Sequence, residues 1–368
     1  MRSRPESVYH SQHIYQQRVL LQLILFISII ILVSGCASPG PSGLDQQAEA
    51  GNYVWPAPPE KPRIRYLGSL KSSESFNSDQ GMGLREWFLG KEEEEARALV
   101  KPYGVHSDSK GRVYVADTGI SGLVVFDLNN ETMEFLGTSG PGALKKPTGV
   151  TTDSSGNVYV SDVIDHRVVM YSNEGQFINA FGGSDLLVSP VGLTFNDSTQ
   201  QLYVVDSKKH QVIVFNKNGG VDYTIGDRGS ENGKFNFPTN IAIDEKQQIY
   251  LSDTMNFRVQ ILDSQGKYLN GFGNLGDGRG QFSRLKGIGV DVDGHIYTVD
   301  AAFNNMQIFN QEGQLLLTVG KPGTGPGGFY LPAGAHVDKN NKVFVADQLN
   351  QRIQMFEFLG ETESNRSE

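Results

Sequence analysis

Cysteine is almost missing from this chain: 368 residues contain one, Cys36. A lone thiol cannot close an intrachain disulfide, so a disulfide-stapled scaffold is excluded. Long hydrophobic runs are also missing. The run from Val19 to Val33, VLLQLILFISIIILV, is 15 residues long, whereas a membrane-spanning helix needs about 20. Charge is sparse at 20%, and cations are the scarcer sign, 32 Lys and Arg against 41 Asp and Glu, for a net charge of −9. An acidic chain repels phosphate backbones, which argues against a nucleic-acid partner. Glycine is plentiful at 43 residues. With modest charge and enough hydrophobic residues to build a core, this composition fits a turn-rich all-β protein rather than disorder.

The apolar run follows Arg2, Arg4 and Arg18 and has the length of a signal-peptide core. It ends at Val33-Ser34-Gly35-Cys36. This segment resembles the lipobox of bacterial lipoproteins, in which the cysteine is lipidated and becomes the new N-terminus; an uncleaved signal anchor is the alternative. The resemblance implies a signal peptide over 1–35, a lipid anchor on Cys36, and attachment to a membrane of the cell envelope. Loss of three cations and one acid with the signal leaves a mature charge of −11. Ala37 after the cysteine implies the outer membrane by the sorting rule of enterobacteria. Residues 36–62, rich in Pro, Gly, Ala and Gln, read as a flexible tether.

What the chain does contain is one sentence written six times, as in Pro147–Tyr171, PTGVTTDSSGNVYVSDVIDHRVVMY. Its marker is an aspartate ending an aromatic, alternating run: Asp117, Asp162, Asp206, Asp253, Asp300 and Asp347, spaced by 45, 44, 47, 47 and 47 residues. Each unit carries four β patterns, a to d, separated by Gly- or Asn-containing turns such as Ser155-Gly156 and Gln265-Gly266. Both faces of such a meander are apolar, so each must pack on a neighbour. Six of them predict an all-β, six-bladed β-propeller over 63–360. The sixth unit lacks strand d before the polar tail 361–368, while Arg65-Tyr-Leu-Gly68 matches Glu134-Phe-Leu-Gly137. Residues 64–70 are therefore expected to complete the last blade and to remove an exposed edge. The insert 71–100 spaces Leu84, Trp87 and Phe88 as on an amphipathic helix and carries Glu92 to Glu95, expected as a solvated face.

The units resemble NHL repeats, on the strength of Pro-x-Gly at strand a, Tyr-Val-x-Asp at strand b, and Asp165-His166-Arg167, Lys209-His210-Gln211, Asn256-Phe257-Arg258 and Asn350-Gln351-Arg352 thereafter. Units one and five depart from the last segment with Ile120-Ser121-Gly122 and Phe303-Asn304-Asn305. The resemblance covers about 255 residues and implies the fold, since propellers host unrelated activities. The six repeated aspartates are expected to be structural, accepting amide N–H bonds in the b–c turn and in some units facing Arg167, Arg258 or Arg352. Leu99, Leu144, Leu187, Phe235, Phe282 and Phe329 are expected to pin the d–a loops.

Function is expected where the repeats differ. The d–a and b–c loops share one face, with long segments at 226–237, 273–284 and 320–331, and long loops on a rigid scaffold are where binding sits. Tyr103, Thr148, Val191, Thr239, Lys286 and Ala333 are expected at the channel mouth on that face. His106 and His336 occupy one repeat position in units one and six and are candidates to meet and hold a metal with one further ligand. The related peptidyl-amidoglycolate lyases place zinc-binding histidines beside the strand-a proline. None of the six mouth positions here is histidine, which argues against that activity. No catalytic constellation stands out. The sequence therefore points to a lipid-anchored scaffold that binds an envelope protein or other extracytoplasmic ligand without a cofactor. A lyase or lactonase-like hydrolase acting in the channel is the alternative.

Overall fold

The computed structural model describes residues 53–76 and 98–360. Cys36, the signal segment, most of the insert with Leu84, Trp87, Phe88 and the Glu92–Glu95 run, and the tail 361–368 lie outside the described residues. Six antiparallel sheets follow one another, each a meander of four strands. In blade 1 the strands are Pro102–Ser107, Arg112–Asp117, Gly122–Asp127 and Thr132–Leu136. In blade 2 they are Pro147–Thr152, Val158–Asp162, Arg167–Tyr171 and Phe177–Gly182. Blade 6 is built from Pro332–Val337, Lys342–Asp347 and Arg352–Phe358, and its fourth strand is Ile64–Leu70, paired antiparallel to Arg352–Phe358. The ring thus closes as the sequence predicts, with a strand from the N-terminal side of the repeats.

Two features differ from expectation. Val54–Trp55, placed in the tether, forms a fifth strand on the outer edge of blade 6, pairing with Ile64 and Arg65. Its side chains explain why: Trp55 meets Phe356 at 5.9 Å between ring centroids, so the segment buries aromatic surface that a tether would leave in water. Of the insert, the described part is a short 3-10 helix, Ser73–Phe76, and a bridge between Ser72 and Ala98. No helix among the described residues is long and apolar enough to cross a membrane.

The protein has six cores, one at each seam between neighbouring blades. Val113, Val115 and Phe126 of blade 1 pack on Phe344, Ala346 and Ile353 of blade 6, so the first and last blades are sealed by the same chemistry as the others. This is why strands b and c are apolar on both faces, a pattern otherwise typical of sheets covered on both sides. Near the axis, strand a of one blade runs against strand a of the next. A Cβ on Gly104 would lie 2.6 Å from the Thr148 carbonyl oxygen, and one on Gly334 would lie 2.5 Å from that of Tyr103. The glycine of Pro-x-Gly is therefore a requirement of inter-blade approach. Blade 4 has Asn240 there, and its strand a begins later, at Ile241.

Candidate functional site: two opposite faces

The six repeated aspartates are 0–1% exposed and serve the scaffold. Their main partners are not in the b–c turn alone. Asp117 accepts the amides of Val100 and Lys101, both at 2.8 Å, and Asp300 those of Ser283 and Arg284, at 2.7 and 2.9 Å. Each carboxylate thus ties the incoming d–a loop to the end of strand b, and amides of the b–c turn, such as Gly119 and Ala302, add to it. Arg258 and Arg352 reach Asp253 and Asp347 at 2.9 and 2.8 Å. Arg167 does not face Asp162: it turns to Asp165 at 3.2 Å and to the Ala143 carbonyl. Arg352 also donates to the carbonyls of Thr324, Gly325 and Gly328, which orders the long loop before blade 6.

At the centre of the b–c turn every blade has a residue in the left-handed region: Ser121, His166, His210, Phe257, Asn304 and Gln351, with φ between 53° and 59°. The histidine of the repeat pattern is thus a turn residue. His210 accepts the Phe237 amide on Nδ1 at 3.0 Å, and the His166 Nδ1 lies 2.9 Å from the Val188 carbonyl, so both brace the following d–a loop.

The loop face exposes apolar side chains. Val100, Ile164, Leu186, Phe237, Met255, Leu275, Tyr330 and Leu349 all stand on d–a or b–c loops and are 40–61% exposed. Between them are exposed cations, Lys101, Lys145, Lys146, Lys208, Arg228, Lys234, Arg279, Arg284 and Lys321. Among the described residues of this face they outnumber the acids Glu74, Asp165, Asp185, Asp227, Glu231 and Asp277. Of the six expected mouth residues, Thr148, Val191 and Ala333 are 5–9% exposed and buried at the blade junctions. The Thr148 hydroxyl, for example, bonds the Pro190 carbonyl of the next blade at 3.2 Å. Tyr103, Thr239 and Lys286 are half-buried. Lys286 of blade 5 reaches past the small Ala333 of blade 6, and its Nζ donates to the Tyr103 hydroxyl of blade 1 at 3.3 Å. No carboxylate among the described residues lies within ion-pair distance of this ammonium.

The opposite face holds the larger cavity, a depression of about 550 Å3 among the a–b turns. Its wall carries Asp108, Asp153, Asp197, Asp244, Glu245, Asp291 and Asp338 against Lys110 and Lys339. Asp108, Asp153, Asp244, Asp291 and Asp338, with Asn196 in their place in blade 3, form a second repeated set that the sequence pattern carries as well. One oxygen caps the turn, as Asp291 does for the amides of Asp293 and His295 at 3.0 and 2.8 Å. The other accepts the strand-b tyrosine: Tyr114 to Asp108 at 3.2 Å, Tyr159 to Asp153 at 3.1 Å, Tyr250 to Asp244 at 2.9 Å and Tyr297 to Asp291 at 3.0 Å. Burial, reinforced by these carboxylates, raises the tyrosine pKa values.

His106 and His336 line both this depression and a narrower cavity of about 100 Å3 among the inner strands. The structure brings them into contact, with ring centroids 4.3 Å apart. The His106 Nε2 lies 2.9 Å from the Thr152 hydroxyl, while the His336 Nε2 is buried without a partner. Burial lowers both pKa values, His336 to about 4, and the neighbouring imidazole lowers His106 further. The pair has no third ligand: among the described residues, the grouping of three metal-ligating side chains that the structure does bring together is Asp291, Asp293 and His295, elsewhere on the rim.

Comparison with known proteins agrees with this architecture. The DUF5128 family, described as a 6-bladed beta-propeller, matches residues 183–259 and 290–366, and the SBBP beta-propeller repeat matches 136–161. The chain is a six-bladed β-propeller. A streptogramin B lyase structure is similar with a TM-score of 0.54 at 14% identity, over 71% of this chain and 94% of that one. Virginiamycin B lyase from Staphylococcus aureus gives 0.54 at 13%, over 71% and 96%. An auxiliary nutrient binding protein from Bacteroides thetaiotaomicron gives 0.56 at 14%, over 71% and 70%. At such identities the likeness is one of fold, and these propellers differ in what they do. No curated protein matches the chain.

Proposed function

We propose that this propeller is a binding scaffold of the bacterial cell envelope, held to the outer membrane by a lipid on Cys36, with its protein partner on the face formed by the d–a and b–c loops. The observation that carries the reading is the distribution of exposed hydrophobic residues. Among the described residues fourteen large apolar side chains are exposed, and eight of them stand on that one face. Surface apolar residues scattered singly are ordinary, but their concentration on one face, rimmed by charge, marks an interaction site. The loops that carry them are long yet held by buried pins: Phe235, Phe282 and Phe329 are fully buried. A preformed loop surface loses little conformational entropy on binding.

Site-specific photo-crosslinking in intact cells tests the assignment. A photoreactive residue at Leu275 or Tyr330 is expected to trap a protein partner, and one at Val292 or Glu245 on the opposite face is expected to trap none. Equal crosslinking from both faces would refute a loop-face site. Replacing Cys36 with Ser is expected to release the chain from the membrane fraction; full retention would refute the lipid anchor.

A further inference from the structure

Among the described residues the loop face is apolar and basic at once, although the chain as a whole is acidic. Over blades 4, 5, 6 and 1 the loops expose the apolar side chains Phe237, Leu275, Tyr330 and Leu349 together with Lys101, Arg279, Arg284 and Lys321. At the centre of this arc is Lys286, half-buried at the channel mouth, its ammonium 5.8 Å from the centroid of the Tyr103 ring and bonded to that hydroxyl. A partly desolvated ammonium that meets only a neutral phenol among the described residues has no counter-charge there. The groups that compensate it best are carboxylates, which accept from the ammonium and from the phenol O–H together. Resting on the loop face being the binding face, we infer that the protein segment docking there is acidic and bears apolar side chains, and that it seats one carboxylate on Lys286 and Tyr103.

The same features set aside other anionic partners. An anionic bilayer would meet the protruding Leu275 and Leu349, but a flat lipid surface does not reach an ammonium recessed in the mouth. Single-stranded nucleic acid is bound by aromatic platforms on which successive bases stack, whereas here the two exposed aromatic rings, Phe237 and Tyr330, are separated by the blade that carries the aliphatic Leu275. An extended protein segment supplies both parts, a side-chain carboxylate for the recess and apolar residues for the rim. Charge complementarity of this kind governs encounter and partner choice more than affinity.

The test uses the full-length chain and a labelled synthetic peptide in which Glu alternates with Leu and Phe, followed by fluorescence anisotropy. Two control peptides replace Glu with Lys, or the apolar residues with Ser. Binding is expected for the first peptide alone, weakening roughly tenfold or more with Lys286→Glu and on raising salt well above 0.15 M. Lys286→Met gives a loss without charge reversal, and Lys339→Glu on the opposite face changes nothing; unaltered melting temperatures show that each variant is folded. Equal binding of the Lys peptide, or indifference to Lys286→Glu, overturns the inference. So does binding of phosphatidylglycerol vesicles or a single-stranded oligonucleotide in place of the peptide, as does salt-sensitive self-association through the acidic face of a second copy. If crosslinking from Leu275 and Tyr330 persists while Lys286→Glu has no effect on it, the loop-face site stands and the acidic partner falls. If that crosslinking is absent too, both fall.

Discussion

The two ends of this propeller are made from the same repeats and have opposite surfaces. On one, the d–a loops vary in length and, together with the b–c turns, expose Leu275, Tyr330, Leu349 and a set of cations. On the other, short a–b turns cap themselves with an aspartate, or in blade 3 with Asn196, and the result is an acidic depression above the His106–His336 contact. The difference comes from where each connection finds its hydrogen bonds. An a–b turn of four or five residues satisfies its amides with its own Asp, so its sequence is constrained and its surface repeats around the ring. A long d–a loop is satisfied from below, by the buried Asp at the end of strand b, by a buried Leu or Phe, and in blades 4 and 6 by an arginine. Once those anchors are met, the outward side chains are free to differ. One face is therefore fixed by folding, while the other is open to adaptation for a partner.

The largest expected effect comes from removing an anchor of the loop face. Asp347 is fully buried and holds the Tyr330 amide together with Asn350, Arg352 and Gln354. Asp347→Ala leaves Arg352, itself 4% exposed, without its counter-charge. Breaking a buried pair in this way costs about 3–5 kcal/mol, so urea unfolding should show a clear fall in the midpoint. A loss within the ordinary surface range would mean that the loop before blade 6 is held by its arginine–carbonyl bonds alone.

A second experiment acts beneath the acidic face. The folded-state pKa of His336 is lowered to about 4 from an ordinary 6.5, and that of His106 is lowered as well. The unfolded chain therefore binds protons that the folded chain refuses between pH 6.5 and about 4. Stability from these groups is complete above pH 6.5 and is lost as pH falls through that window. The groups around the pair are Thr152, the Ser107 backbone and Asp338, of which only Asp338 is charged, and it favours protonation of His336. Carboxylates elsewhere titrate near the lower end, so the measurement is a difference. The drop in unfolding free energy between pH 7 and pH 5 should be smaller in a His106→Gln, His336→Gln double variant than in the parent. Equal drops would show that the seam between blades 1 and 6 does not sense protons.

The fold was legible because its signals are repeated and local. Aspartates at near-constant spacing, Pro-x-Gly at the start of strand a in blades 1, 2, 3 and 6, and the match of Arg65-Tyr-Leu-Gly68 to Glu134-Phe-Leu-Gly137 give blade number and closure together. The fifth strand at Val54–Trp55 was hidden, since its sequence neighbours are prolines and its reason for ordering is a distant one, Phe356. The candidate site was legible only in outline. The spacing of six residues from Asp108 to Tyr114, repeated from Asp153 to Tyr159, Asp244 to Tyr250 and Asp291 to Tyr297, signals the ring of turn aspartates. Thr148, Val191 and Ala333 sit where position along strand a puts them, yet the glycine that follows brings the next blade so close that these side chains are buried. Net charge hides the contrast between the faces: a single value of −9 averages a loop face whose described cations outnumber its acids and an acidic face opposite.

The smallest expected change in stability is also the sharpest comparison of the two faces. Leu275 on a loop and Val292 in an a–b turn are both exposed, at 61% and 49%. Neither belongs to a buried cluster, so Leu275→Ser and Val292→Ser should each shift stability by no more than about 0.5 kcal/mol. Their effects on partner binding should differ. An interface residue near the centre of a contact costs more than about 1 kcal/mol when truncated, so Leu275→Ser should weaken crosslinking of a partner from Tyr330, while Val292→Ser should leave it unchanged. Because the two variants are matched in chemistry and in stability, any difference between them reports the function of the face and not the integrity of the fold. Equal crosslinking from Tyr330 in both would place the partner away from Leu275, on other apolar side chains of this face such as Tyr330 and Leu349.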